Sequence, residues 1–226
     1  MQISGAVALV TGANRGLGKH FAQQLLARGA KVYATARRPE LVDIAGATVL
    51  PLDITDPQSV TAAAAAAPDV TLLVNNAGVD TVTGLVTGDL DRIRLELDTH
   101  FWGTLGMIRA FAPQLAGGAI LNVLSAMSWF NYPGRTAYGA AKAAEWNLTN
   151  GVRLELADQK TLVTALHLGA ADTDLSGDYD GPKGDPAVLV RAGLDGLERD
   201  SIEVVADEWT AHVKASLAGD PADFYR

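Results

Sequence analysis

The hydrophobic positions of the chain form two alternating patterns: short apolar runs, and longer segments with apolar residues every three or four positions. The short runs have the length and the glycine or polar endings of buried strands, and they lie at 6–12, 31–36, 47–53, 70–78, 118–126, 161–169 and, in a shorter form, near 202–205. The longer segments predict helices over 16–28, from Asp56-Pro57 onward, over 91–111, 136–156, near 186–198 and at the C-terminal end. Apolar strands that alternate with helices are typical of a parallel sheet covered on both faces. The pattern therefore predicts an α/β fold, a Rossmann-type doubly wound parallel sheet in three layers.

The helix predicted over 91–111 has an apolar stripe. Its members recur at helical spacing and are Ile93, Leu97, Phe101, Leu105, Ile108 and Ala112. His100 lies in the middle of this helix, in the stretch DTHFWGTL (98–105), and is one of only four histidines in the chain. Its role depends on what the rest of the sequence does.

Composition narrows the class of protein. With 226 residues, of which 48% are hydrophobic and 19% charged, the chain suits one compact domain over 1–226. The net charge of −8 argues against a general affinity for nucleic acid or anionic membrane, and no apolar run reaches the roughly 18 residues of a membrane span. Because the N terminus lacks the features of a signal peptide and cysteine is absent, we expect a cytoplasmic protein without disulfides or a metal site.

Basic residues are concentrated near the N terminus. Residues 1–39 hold six of them and no Asp or Glu, although the chain is acidic overall. The first strand-to-helix turn, TGANRGLG (11–18), lies in this segment: Gly12 permits a tight turn, whereas Gly16 and Gly18 let the backbone approach a phosphate and let the helix pack closely. This arrangement favours a nucleotide pyrophosphate at the helix N terminus, and a methyltransferase-type nucleotide loop is its main competitor.

The end of the second predicted strand indicates which dinucleotide binds. Sites of this kind usually carry an acidic residue there for the ribose hydroxyls of NAD, whereas an arginine accommodates the 2′-phosphate of NADP. Here Arg37 and Arg38 follow the strand, with no acid. Guanidinium–phosphate contacts are strong and directional, and Arg15 in the glycine loop can approach from the other side. We therefore expect NADP(H), with Arg37 as the main contact.

A tyrosine and a lysine lie four residues apart in YGAAK (138–142) and share a helix face. The reference pKa of tyrosine, about 10, is too high for easy proton transfer at neutral pH, and a nearby ammonium lowers it. Alone, this spacing is common and predicts only an exposed helical pair. Its significance comes from the motifs at the strand ends.

In this order the motifs resemble the short-chain dehydrogenase/reductase family over residues 5 to about 205. The resemblance rests on TGANRGLG (11–18), Asp53, NNAG (75–78), Ser125, YGAAK (138–142) and GAADT (169–173). It implies that Tyr138 is the general acid/base, that Ser125 hydrogen-bonds the carbonyl oxygen, and that Lys142 lowers the pKa of Tyr138 and holds the nicotinamide ribose.

The resemblance also implies a cofactor cleft. The expected cofactor-binding residues are Gly12, Asn14, Arg15, Gly16, Leu17, Gly18, Arg37, Asp53, Ile54, Asn75, Ala77, Gly78, Tyr138, Lys142, Gly169 and Thr173. Among the departures, Leu168 stands where the family usually has proline, and the segment after Thr173 is short, so that 174–226 contributes a short substrate side and the C-terminal elements.

The expected substrate is a small carbonyl compound or alcohol. Trp129, Phe130 and Tyr132 lie between Ser125 and Tyr138, and they suggest an apolar or aromatic substrate, although loop packing explains them equally well. The resemblance further implies a homodimer or homotetramer formed through the helices that begin near residues 91 and 136. The leading function is NADPH-dependent reduction of a ketone or aldehyde, and the alternatives are a non-catalytic NADP(H) sensor and a methyltransferase.

His100 stands where the family carries an asparagine that holds a water between the catalytic lysine and solvent. Imidazole can both donate and accept, so we hypothesise that His100 is a catalytic residue that substitutes in this relay and adds a pH dependence near neutrality. A neutral core histidine remains the alternative.

Overall fold

The computed structural model describes residues 1–225, in which seven strands form one parallel sheet. The strands are β1 (Val7–Val10), β2 (Lys31–Ala36), β3 (Thr48–Pro51), β4 (Leu72–Asn75), β5 (Ala119–Val123), β6 (Leu162–His167) and β7 (Glu203–Val205). Their order is β3-β2-β1-β4-β5-β6-β7. The chain starts in the middle, winds to one edge, and returns beside β1 to build the other half. The predicted doubly wound α/β fold is confirmed.

Eight α-helices connect or follow the described strands. They are α1 (Gly16–Ala27), α2 (Pro57–Ala66), α3 (Leu90–Leu97), α4 (Thr104–Phe111), α5 (Thr136–Glu155), α6 (Pro186–Glu198), α7 (Glu208–Ser216) and α8 (Pro221–Phe224). A π-helical segment, Asp98–Gly103, joins α3 to α4. Within residues 1–225, no helix combines the length and the hydropathy required to cross a membrane.

Successive strand residues pack against opposite layers. Ala8 and Val10 join the core beneath α1 and α6, whereas Leu9 between them joins the core beneath α2, α4 and α5. Phe21 of α1 and Phe111 of α4 are fully buried on the two sides. Since strand side chains alternate between faces, the continuous apolar runs of the sequence produce the three-layer arrangement.

The helix predicted over 91–111 is correct in position, but its predicted apolar stripe is wrong. Leu97 is exposed, and the face that turns inward is partly polar. Its buried residues are Glu96, Thr99, His100, Gly103, Thr104, Met107, Ile108 and Phe111. The π-helical segment shifts the angular position of later residues relative to an α-helix, which a spacing argument based on 3.6 residues per turn does not include.

Candidate functional site

A cleft of about 1100 Å³ opens at the carboxyl ends of the strands. The loops that follow β1 to β6 all contribute to its wall, as expected for ligand sites in open parallel sheets. All but two of the predicted site residues line this cleft. The exceptions are Gly18 and Asn75.

The glycine loop after β1 forms one wall. Gly12 and Gly16 have φ angles of +66° and +52°, which favour glycine over residues with a side chain. Gly18 has a packing role instead, because a Cβ atom there would lie 2.1 Å from the carbonyl oxygen of Gly12. Of the two roles expected for Gly18, the structure shows the close packing of α1 against the loop, and Gly18 does not line the cleft.

The N terminus of α1 fits an anionic ligand. No side chain of residues 1–225 caps α1, and its first turn contains no acid. Free N–H groups and the positive end of the helix dipole thus face the cleft beside Gly16 and Leu17. A pyrophosphate satisfies such donors, so the residues present fit a dinucleotide.

The far end of the cleft is basic. Arg37 and Arg38 follow β2 and line the wall there. The Arg15 guanidinium lies 2.9 Å from Asp174 across the cleft, and both side chains are exposed. Arg15 therefore has a carboxylate partner in competition with the phosphate contact that the sequence suggested, but exposed pairs of this kind are weak and easily exchanged.

The loops after β3 and β4 line the middle of the cleft with Asp53, Ile54, Ala77 and Gly78. The prediction for Asn75 is wrong: as the last residue of β4 its side chain is buried and donates to Asn122 at 2.8 Å. The next residue, Asn76, lines the cleft instead and ties the two central loops together by donating to the Thr11 carbonyl at 2.9 Å. Strand alternation is the signal that distinguishes the two adjacent asparagines.

Ser125, Tyr138 and Lys142 converge on the cleft from β5 and α5. The Ser125 hydroxyl accepts from the backbone N–H of Met127 at 3.1 Å, and it lies close enough to the Tyr138 phenol to lower the pKa of that group. Ser128 completes a capping box with Ser125, which fixes the serine backbone. A proton donor and a second hydrogen-bonding hydroxyl therefore face the same part of the cleft.

The pKa of Tyr138 lies above its ordinary value. Burial is the largest cause and raises it; Asp80 and Glu145 raise it further, against the lowering influence of the Lys142 charge and of the Ser125 hydroxyl. Lys142 thus acts in the predicted direction, but the surrounding carboxylates and burial outweigh it. The phenol is held in its protonated, acid form.

His100 is buried beneath Tyr138, and their rings meet edge to face with centroids 5.3 Å apart. Its Nε2 donates to the Val79 carbonyl at 2.8 Å. Two buried carboxylates flank the ring: Glu96 lies 3.5 Å from Nε2 and Glu145 lies 3.6 Å from Nδ1. Neither glutamate was identified from the sequence. The contact of Glu145 depends on the packing of two distant helices, whereas Glu96 lies four residues before His100, a helical spacing that could have been found.

A second buried histidine, His167, contacts Ser125. Its Nδ1 donates to the Ser125 carbonyl at 3.2 Å, and its ring stacks on Trp129 with centroids 3.9 Å apart. Phe130 and Tyr132 line the cleft as expected, whereas Trp129 packs on His167 instead. Burial is the main cause that lowers the pKa of His167 to about 4, so the ring is neutral near pH 7.

The loop after β6 closes the cleft on the substrate side. Gly169 and Thr173 line it, and the backbone N–H of Gly169 donates to Asp207 at 2.7 Å, so the turn that lacks the usual proline is anchored by a side chain. Arg135 pairs with Asp80 and, at 2.6 Å, with Asp178. Arg135, immediately before α5, therefore connects the loop after β4 to the short segment after Thr173.

Comparisons with known proteins agree with this geometry. The family model for "short chain dehydrogenase" matches residues 6–182. An uncharacterized oxidoreductase of Staphylococcus saprophyticus is 30% identical over 221 residues, covering 89% of this chain and 94% of that protein. The NADPH-dependent 1-acyldihydroxyacetone phosphate reductase of Schizosaccharomyces pombe is 34% identical over 178 residues, covering 74% of this chain and 60% of the yeast protein.

Among solved structures, a short chain dehydrogenase from Burkholderia cenocepacia in complex with NADP has a TM-score of 0.95 and 39% identity, covering 100% of this chain and 98% of the other. The sequence relatives, the fold and the placement of the motifs all indicate the same assignment. The chain belongs to the short-chain dehydrogenase/reductase family of oxidoreductases.

Proposed function

We propose that the protein is an NADPH-dependent reductase that converts a ketone or aldehyde to an alcohol, reversibly, with 1–226 acting as one cofactor-binding and catalytic unit. One observation carries the proposal. A serine hydroxyl, a tyrosine phenol and a lysine ammonium face the cleft at one end, while its other end holds Arg37 and Arg38 and no acid at the end of β2. The NADP complex of the Burkholderia relative supports the choice of cofactor.

The chain's residues perform the proton chemistry. When bound, NADPH supplies the hydride for the carbonyl carbon. Tyr138 donates its phenolic proton to the carbonyl oxygen, and Ser125 hydrogen-bonds that oxygen as charge develops on it. Lys142 and Thr173 would hold the nicotinamide end, and Gly16 and Leu17 the pyrophosphate. Phe130 and Tyr132 favour an apolar or aromatic substrate.

Cofactor preference gives the first test. Arg37→Gln should weaken NADPH binding by roughly 10- to 100-fold, because one charge-assisted contact to the 2′-phosphate is lost, and should leave NADH binding nearly unchanged. Calorimetric titration measures both affinities, with Arg92→Gln on the exposed surface of α3 as the control. Equal affinity of the parent for NADPH and NADH would contradict the preference.

Two further outcomes separate the alternatives. Tight NADPH binding without turnover of any compound in a broad carbonyl panel would favour a non-catalytic sensor. Binding of S-adenosylmethionine in place of a dinucleotide would favour a methyltransferase.

The proposal includes self-association as a homodimer or homotetramer in the cytoplasm. Leu97 and Trp102 are exposed, the latter by 60%, on the segment that begins at α3. Large apolar side chains at the surface suit a subunit interface. Trp102→Glu should shift the mass measured by light scattering from oligomer towards monomer, and a monomeric parent would contradict this part of the proposal.

A further inference from the structure

Four titratable side chains form a buried cluster behind Tyr138, and they are Glu96, His100, Lys142 and Glu145. None is more than 5% exposed. Burying a charge is costly unless it is paired and hydrogen-bonded, so a cluster of this size requires an explanation. We call it the buried quartet.

The two carboxylates are arranged in the same way. In Glu145, Oε1 accepts from the Thr104 hydroxyl at 3.1 Å, while Oε2 lies 2.7 Å from the Lys142 ammonium and 3.6 Å from His100. In Glu96, Oε1 accepts from the backbone N–H and the hydroxyl of Thr81, at 2.6 and 2.8 Å, while Oε2 faces His100. Each glutamate therefore uses one oxygen for neutral donors and directs the other at the cations.

The charges balance only when His100 carries a proton. With Lys142 protonated and both glutamates ionised, a neutral imidazole leaves the quartet at −1, whereas an imidazolium brings it to zero. Glu96 faces His100 from its own helix, and Tyr138, Lys142 and Glu145 face it from α5; the loop after β4 presents the Val79 carbonyl.

The pKa directions agree with this count. Burial, the largest influence, and the Lys142 charge lower the pKa of His100, but Glu145 and Glu96 outweigh them and hold it above its ordinary value. Burial likewise opposes ionisation of Glu145, yet Lys142 and His100 hold the pKa of that carboxyl below its ordinary value.

The backbone around His100 is specialised as well. The residue lies in the π-helical segment, a conformation that is rare and often marks functional sites. Gly78 provides room for the ring, because a Cβ atom there would lie 2.7 Å from Cε1 of His100. The π-helical backbone of His100 and the missing side chain of Gly78 thus both help to accommodate the imidazole.

The Lys142 ammonium is oriented by the same carboxylate. Among the described residues it donates to the Val123 carbonyl at 2.9 Å and to Glu145. An ammonium has three N–H groups, so one remains for the cleft that Lys142 lines.

We propose that Glu145 is a positioning residue: it directs Lys142 into the cleft and, with Glu96, holds His100 as an imidazolium under Tyr138. This inference rests on the proposed function for its kinetic consequence but not for the charge state. Where the family carries an uncharged asparagine, this chain has His100, a cation whose proton is held by the carboxylates of Glu96 and Glu145.

The charge state is tested without substrate, by nuclear magnetic resonance titration of isotope-labelled histidine, with the His100 signal identified by its loss in His100→Asn. In the parent, His100 should keep its proton beyond the ordinary range around pH 6.5. Glu145→Gln should make it titrate at lower pH, and the exposed Glu155→Gln on the same helix should change nothing. If Glu145→Gln does not fold, the same titration is measured in Glu96→Gln, which removes the other carboxylate beside His100 and should also make His100 titrate at lower pH.

Kinetics test the positioning role. Glu145→Gln should lower kcat by roughly 10- to 100-fold, the loss expected for one hydrogen bond to a charged group, and should shift the pH–rate profile, while Glu145→Asp should restore part of the activity. Titration of His100 in its ordinary range in the parent, or titration curves that coincide in the parent and in Glu145→Gln, would overturn the inference. Absence of turnover in the parent, with the titration as expected, would instead overturn the proposed function alone.

Discussion

His100 and His167 are both buried within the described chain, and His100 packs against the Tyr138 ring while His167 hydrogen-bonds the Ser125 carbonyl, yet their surroundings differ completely. Glu96 and Glu145 flank His100, whereas His167 stacks on Trp129, has Glu203 at 4.0 Å from its Nε2, and is also influenced by the charges of Lys214 and Lys142. The pKa of the first is raised, and that of the second is lowered to about 4. Neighbouring charge, and not burial, determines which histidine is a cation.

The two histidines therefore have opposite effects on stability as pH changes. A histidine whose pKa is higher in the folded than in the unfolded protein stabilises the fold. This stabilisation is complete below the pKa of the unfolded protein, about 6.5, and is lost as pH rises through the pKa of the folded protein. A histidine whose pKa is lower in the folded protein contributes stability that is present above the pKa of the unfolded protein and is lost as pH falls towards the pKa of the folded protein. His100 follows the first case and His167 the second.

The largest expected effect is that of a substitution at Tyr138, whose ring contacts His100. Tyr138→Phe removes the proposed proton donor while the ring contact with His100 remains, so turnover should fall by about 10² to 10⁴. NADPH affinity should stay nearly the same. Steady-state kinetics and calorimetry measure the two quantities, and near-parental turnover would contradict the assigned role of Tyr138.

The next effect is specific to the His167 side. His167→Gln removes a group whose pKa falls from 6.5 to about 4 on folding, so the unfolding free energy should lose a pH-dependent contribution of about 3 kcal/mol between those values. Urea unfolding at a series of pH values measures it, with the exposed His212→Gln as the control. Equal pH slopes in parent and variant would show that His167 is not held neutral.

A smaller effect is expected on the His100 side. Gly78→Ala places a methyl group against the ring, and overpacking of this kind costs about 1–3 kcal/mol. If the ring is displaced from the quartet, the His100 titration should move towards its ordinary range. An alanine variant with parental stability and titration would mean that the ring does not depend on this space.

Most of the fold could be predicted from the sequence because apolar runs and helical periodicity report burial directly. Strand β2 and helix α6 coincide with their predicted bounds, 31–36 and 186–198. Other strands are shorter than predicted: the run 70–78 includes loop residues after β4, which ends at Asn75. Those loop residues carry the motifs. The motifs therefore located the lining of the cleft more accurately than the apolar runs located the ends of the strands.

The buried quartet could not be predicted because it depends on side chains from separate helices. His100 attracted attention through its position, but Glu96 and Glu145 appear in the sequence as ordinary helical acids. Glu96 lies four residues before His100 on its own helix, but only the packing of the π-helical segment against α5 brings Glu145 to the ring. The π-helical segment also explains why Leu97 was wrongly placed on the apolar stripe. The stripe assumes 3.6 residues per turn throughout, and this segment has a different number.

Hydride transfer tests the central claim most directly. The parent protein is incubated with a panel of apolar and aromatic ketones and aldehydes and with NADPH that carries deuterium at the transferred position, and the alcohol products are analysed by mass spectrometry. We predict an alcohol that carries one deuterium, formed by the parent and almost absent with Tyr138→Phe. Tight binding of NADPH with no labelled alcohol from any member of the panel would contradict the proposal that this protein is a carbonyl reductase.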